Sequence, residues 1–213
     1  MIADRSLKEP QPTGMDPRGA IKRLTDVMIA TTTLILLSPL FVCTVLAIKL
    51  TSRGPILYRW PVVGRGGRSL RAYKFRTMVV GADKLKEQLL NQNEATGPVF
   101  KIRNDPRVTR VGRFLRKFSL DELPQLWSIA KGDMSLVGPR PVLECEWAEF
   151  SEWQRTKLSI KPGAVCLWHV RGQPRNCDEW VKLDLEYINN WSLWLDLKIL
   201  VSSLVYILSG RNY

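Results

Sequence analysis

The sequence predicts an α+β protein, mostly helical with a small β-hairpin. A re-entrant membrane helix-break-helix precedes a domain that carries amphipathic surface helices and no Rossmann sheet. Three observations predict this: a long uncharged stretch interrupted by a proline, two short strand-like runs around a glycine-rich turn, and a tryptophan-rich C-terminal region of mixed polarity.

Residues 1–20 hold Pro10, Pro12, Gly14, Pro17 and Gly19 and little that is apolar, the composition of a flexible tail. Between Asp26 and Lys49 lie 22 uncharged, mostly apolar residues, close to the ~20 that a bilayer-crossing helix needs. Ser38-Pro39 sits at the centre of this stretch. Proline removes a helix hydrogen bond and bends the axis, and Ser38 is placed to satisfy a backbone group so released. Both flanks are basic. Arg18, Lys22 and Arg23 lead in, and Lys49, Arg53, Arg59, Arg65, Arg68, Arg71, Lys74 and Arg76 follow with no acid among residues 49–76. Positive charge marks the cytoplasmic side of a membrane segment. Residues 21–50 therefore read as a hairpin that dips into one leaflet and returns to the cytoplasmic side; a single span kinked at Pro39 is the competing reading.

Residues 51–213 form the predicted cytosolic domain. Ile56–Val63 and Ser69–Arg76 read as strands, joined by Gly64-Arg65-Gly66-Gly67, a turn that permits positive φ. Residues 80–94 fit a polar surface helix ended by Gly97-Pro98, a second helix runs from about Arg110 to Lys117, and a third runs from near Ser119 to before Gly132. Trp147, Trp153, Trp168, Trp180, Trp191 and Trp194 fall within 48 residues. Tryptophan suits the headgroup zone, so Trp180–Leu208, broken near Asn189-Asn190, reads as two amphipathic helices on the membrane surface. The same tryptophans also suit the core of a small domain.

Composition excludes several classes. The 213 residues leave no room for two nucleotide-binding lobes, and the four cysteines form no C-x-x-C pair, as expected of reduced thiols. A single histidine, His169, rules out a His-rich metal site and reads as structural. No phosphate-binding P-loop or dinucleotide loop occurs. The net charge of +12 suits an anionic partner. Beside a membrane element, lipid headgroups and phosphates outrank nucleic acid. A nucleic-acid surface would also need more aromatics among the basic residues than Phe100, Phe114, Phe118 and Trp127 provide.

The stretch with chemistry in it is Phe100–Pro141, with nine Lys or Arg residues and four acids: Asp105, Asp121, Glu122 and Asp133. Adjacent Asp121 and Glu122 should stay ionised in such a field. Ser119-Leu120-Asp121-Glu122 reads as a capping box, or alternatively the helix begins at Pro124. Either way the carboxylates lie at the positive end of a helix. That placement serves simple dipole complementation, worth about 0.3–1 kcal/mol. It equally serves a carboxylate nucleophile beside a Mg²⁺ ligand, since Mg²⁺ takes one or two carboxylates together with substrate phosphate oxygens. Spacing alone leaves both open.

Lys74-Phe75-Arg76-Thr77-Met78, Asp105-Pro106-Arg107-Val108-Thr109-Arg110-Val111-Gly112, Ser119 to Leu126, Lys131 to Pro141 and Lys161-Pro162-Gly163 occur here in one order. Over residues 18–210 the chain resembles the bacterial monotopic phosphoglycosyl transferases, the bacterial sugar transferase family. The resemblance implies transfer of a sugar 1-phosphate from a UDP-sugar to a polyprenyl (undecaprenyl) phosphate, releasing UMP. It also implies a place at the start of surface polysaccharide or glycoconjugate synthesis, on the cytoplasmic face of the bacterial inner membrane. Carried over, Asp121 is the nucleophile that holds a covalent phosphosugar, and Glu122 assists at the Mg²⁺ ion. Lys74, Arg76, Arg116 and Arg140 contact phosphate, and Asp133 helps to shape the site. The C-terminal pattern resembles the hexose branch, and the length resembles the compact form without the extra membrane helices of larger relatives.

One departure stands out. Relatives often read Trp-Gln-Val-Ser-Gly-Arg-Asn after Lys-Pro-Gly, whereas here the chain reads Trp168-His169-Val170-Arg171-Gly172-Gln173-Pro174-Arg175-Asn176. Arg171 or Arg175 is expected to supply the displaced cation. The rival to an enzyme is a non-catalytic basic membrane adaptor that binds anionic lipid and a partner, for which Asp121→Asn would be silent. The sugar and the oligomeric state, a homodimer included, stay open.

Overall fold

The computed structural model describes residues 17–172, 174 and 176–209. The expected tail up to residue 16, Gln173 and Arg175 lie outside them.

Helix α1 (Pro17–Leu36) begins four residues before the expected start of the hairpin and meets α2 (Ser38–Thr51) at a 61° bend. The break falls at Leu37, so Pro39 is the second residue of a new helix, where a missing N–H costs nothing. Ser38 makes no side-chain hydrogen bond to the released groups, contrary to expectation. Among the described residues no single helix is long and apolar enough to cross a membrane; the bent pair meets that standard by length and composition only.

The expected hairpin is β1 (Leu57–Val63) and β2 (Ser69–Phe75), paired antiparallel with Trp60 opposite Ala72. Gly66 and Gly67 take the positive φ that the turn requires. After it come α3 (Ala82–Leu85), α4 (Arg110–Lys117), α5 (Gln125–Lys131), β3 (Ser135–Val137), β4 (Val142–Leu143), α6 (Glu144–Glu149), α7 (Glu152–Arg155), β5 (Gly163–Val165), α8 (Trp168–Arg171), α9 (Cys177–Asn189) and α10 (Leu193–Leu208). Strand β4 joins the hairpin in the order β2-β1-β4, and β3 pairs with β5 in parallel. The expected helix over residues 80–94 is only α3 followed by 3₁₀ turns, because its leucines find no core: Leu85 and Leu90 are exposed. Helix α4 has the expected bounds, with Thr109 Oγ1 accepting from Gly112 N at 2.9 Å.

The core runs from α1 through the sheets to α5, α9 and α10, and includes Ala30, Val62, Ala72, Ile129, Met134, Val137, Tyr187 and Ile199. Polar contacts fix the start of α1 on it. Lys22 pairs with Asp196 at 2.6 Å. Arg23 donates to Ile129 O and Ala130 O at 2.6 and 2.7 Å. Asp26 accepts from Ser135 Oγ at 2.7 Å and Leu136 N at 3.2 Å. Further along the hairpin, Ile35, Leu36, Val42, Leu46 and Leu50 are exposed, as are Trp194, Leu197, Val201, Leu204, Val205 and Leu208 of α10. Of the tryptophans, Trp168 and Trp180 are buried in the core, while Trp153 and Trp194 are exposed.

Candidate active site

The acidic pair lies in a 3₁₀ turn, Leu120–Glu122, entered through Ser119 at φ 49°. Ser119 is the one non-glycine with positive φ among the described residues. Its side chain caps no amide, so the expected capping box does not form; Pro124 instead sets the helical backbone from which α5 starts. Glu122 accepts from Lys74 Nζ at 2.7 Å.

Three cations converge on this turn from separate elements. Lys74, on β2, lies 3.7 Å over the Trp60 ring as well as on Glu122. Arg116 comes from the last turn of α4, and its Nε donates to Thr77 Oγ1 at 2.9 Å. Gly112 lets α4 approach that segment, since a Cβ there would stand 2.0 Å from Thr77 O. Arg140, between Pro139 and Pro141, rests its guanidinium 4.8 Å from the Trp168 ring and 5.0 Å from Trp180.

The electrostatics separate the two acids. Burial, then the neighbouring Glu122 charge, pushes the Asp121 carboxyl up to about 6, against the pull of Lys74 and Arg116. The positive field expected to keep both acids ionised does so for Glu122, whereas burial leaves Asp121 ionised only above about 6. Burial acts on Glu122 in the same upward sense, but Lys74 first, with help from Arg140, brings it below its ordinary value. Its side chain keeps 34% of its surface exposed, so one carboxylate of the pair reaches solvent. No group of three or more His, Cys, Asp or Glu side chains suited to a metal occurs among the described residues.

Two expected site residues are elsewhere. Arg76 donates to Arg53 O and Ser52 O at 2.6 and 2.9 Å, closing the end of α2 rather than facing the pair. Asp133 is exposed, 3.9 Å from Lys131, a surface ion pair. Of the two arginines expected to supply the displaced cation, Arg171 pairs with Glu186 at 3.0 Å with both side chains largely exposed, and Arg175 lies outside the described residues.

His169 has the contacts of the structural residue expected of it. Its Nδ1 accepts from Cys166 N at 3.1 Å and its ring stacks on Trp168. It also lies within the field of Glu122, Arg140 and Lys74. Burial pushes it down to about 4, so it is neutral near pH 7. The one sequence signal for it was a histidine standing where the resembling family reads glutamine.

A carboxyl raised by burial, a neighbour that Lys74 holds below its ordinary value and converging cations lie together at this turn. The family described as bacterial sugar transferase matches residues 17–210, and this chain belongs to it. The galactosyl transferase CpsE of Streptococcus agalactiae is 45% identical over 180 residues, covering 81% of this chain and 40% of that protein. The exopolysaccharide production protein ExoY of Sinorhizobium fredii is 40% identical over 212 residues, 95% of this chain and 93% of ExoY. The undecaprenyl-phosphate galactose phosphotransferase of Salmonella typhimurium is 44% identical over 186 residues, 84% of this chain and 39% of that protein. The chain thus spans about two fifths of the first and third of these relatives.

Proposed function

We propose that the protein transfers a hexose 1-phosphate from a UDP-sugar to a polyprenyl (undecaprenyl) phosphate and so begins the assembly of a surface polysaccharide or glycoconjugate. The observation that carries this is the buried Asp121 beside ionised Glu122, with Lys74, Arg116 and Arg140 around them. The relatives' names, among them a galactosyl transferase and an undecaprenyl-phosphate galactose phosphotransferase, support the substrate class.

An Asp121 carboxylate oxygen attacks the sugar-bearing phosphorus, and the bond to the bridging oxygen breaks. UMP leaves with that oxygen, and an aspartyl phosphosugar remains. A phosphate oxygen of the lipid acceptor then attacks the same phosphorus, forming polyprenyl diphosphate-sugar and returning the Asp121 carboxylate. Ping-pong kinetics follow. Lys74, Arg116 and Arg140 offset the negative charge of the transferring group. Asp121 and Glu122 suit Mg²⁺, which takes one or two carboxylates with substrate phosphate and water; bound there it would supply further charge neutralisation. The exposed apolar hairpin and α10 support a re-entrant seat on the cytoplasmic face of the inner membrane, where Asp121 would meet a lipid phosphate.

Purified protein in nanodiscs, given single UDP-sugars with Mg²⁺ and no acceptor, should release UMP and gain the mass of a phosphosugar. Asp121→Asn should do neither. Neither adduct nor UMP from folded protein with any donor would return the non-catalytic adaptor reading. UMP without an adduct would remove the covalent step.

A further inference from the structure

Beneath Arg140 lies an ion pair that the transfer chemistry leaves unused. Lys157 Nζ and Asp184 Oδ2 are 2.5 Å apart, with side chains 2% and 0% exposed. Replacing a pair this dry with apolar residues is often neutral or stabilising, so stability alone is a weak reason for its presence. The other Asp184 oxygen gives a better one: Oδ1 accepts from the backbone N of Arg140 at 3.1 Å.

That N–H is the only backbone donor in Pro139-Arg140-Pro141, because neither proline has one. The turn is therefore held at two points, by Gly163 N donating to Pro139 O at 2.9 Å and by Asp184 on Arg140. Asp184 stands one helical turn after Trp180 on α9, so the two share a face. Trp180 supports the guanidinium and Asp184 holds the backbone of the same residue. Lys157 reaches the carboxylate from the segment after α7 and sets its charge against the second oxygen, which accepts no other hydrogen bond.

We propose that Asp184, oriented by Lys157, is a positioning residue that fixes the backbone of Arg140 and so aims its guanidinium at the phosphates of the donor substrate. The inference rests on the reading of Arg140 as a phosphate contact. Lys157 and Asp184 touch no substrate and act only through Arg140.

The test compares two double variants in the intact protein, reading donor KM and kcat from UMP release. Lys157→Met with Asp184→Asn keeps an acceptor oxygen for Arg140 N–H and should hold KM near wild type. Lys157→Met with Asp184→Val removes the acceptor, and KM should rise about tenfold, the loss of one well-placed charged contact. In an Arg140→Ala background the two variants should become equal, because the contact they control is gone. A merely structural pair would lower the unfolding midpoint without that coupling.

Equal KM for the asparagine and valine variants would overturn the inference, as would a valine penalty that persists undiminished without the Arg140 side chain. If the valine variant does not fold, a folded asparagine variant with KM raised as far as in Arg140→Ala overturns it. Arg140→Ala with unchanged KM would remove the reading of the cleft itself, and this inference with it.

Discussion

Around the start of α1, charged side chains close on protein partners: Lys22 on Asp196, Arg23 on two carbonyls that end α5, and Asp26 on Ser135 and Leu136. Around Asp121 the closing is partial: Lys74 pairs with Glu122, and Arg116 Nε donates to Thr77 Oγ1. Arg140 rests on two tryptophan rings and has no ion pair among the described residues, and Asp121 keeps a carboxyl raised by burial. The first region uses charge to hold a shape, and under the proposed function the second keeps charge for a phosphate. Arg76 belongs with the first kind and Arg140 with the second, although a sequence pattern groups them together.

The comparison breaks first at Asp121. Asp121→Asn should lower UMP release by at least about a thousandfold. It should also stabilise the protein, which no shape-holding group would do. A carboxyl lifted from 3.8 to about 6 costs stability as pH rises through that window and costs it fully above. Denaturant unfolding at pH 7 should therefore show the variant more stable, by at most ~3 kcal/mol. Wild-type UMP release should fall about tenfold per pH unit below about 6, as Asp121 protonates, and stay level above. A flat profile down to pH 5 would detach the rate from this carboxyl.

The two arginines sharpen the contrast. Arg140→Ala should cut donor kcat/KM by about 10–100-fold with little change in unfolding midpoint. Arg76→Ala should do the reverse, losing about 1–3 kcal/mol of stability as Ser52 and Arg53 carbonyls lose their donor. Matching effects from the two would erase the distinction. The smallest expected change is His169→Phe, which keeps an aromatic ring on Trp168 but orphans Cys166 N–H, costing about 1 kcal/mol by thermal unfolding.

Much of the frame was legible because it is written locally. The Ser38-Pro39 break, the glycine turn and the bounds of α4 each depend on a few neighbouring residues. The parallel β3–β5 pair was missed because its two three-residue strands are set by a contact 28 positions apart, Ser135 with Gly163. The acidic pair and most of its cations were legible as residue types. What each cation closes on was not, since Arg76 meets the end of α2 only after β2 has folded back beneath it. The capping pattern at Ser119 failed for a similar reason: Lys74, 48 positions away, offered Glu122 a stronger partner than a backbone amide.

Lys22, Arg23 and Asp26 fasten α1 within its first turns, so the hairpin is no loose tether. The bend at Leu37 and the carboxyl of Asp121 are two marks on one rigid rule, and the interval between them is a dimension of the fold. Adding one helical turn to each arm, between Asp26 and Leu37 and between Pro39 and Phe41, would keep the lower parts of both helices on the domain and move the bend ~5.4 Å farther from Asp121. Whatever surface the hairpin rests on would then meet the cleft at the wrong height.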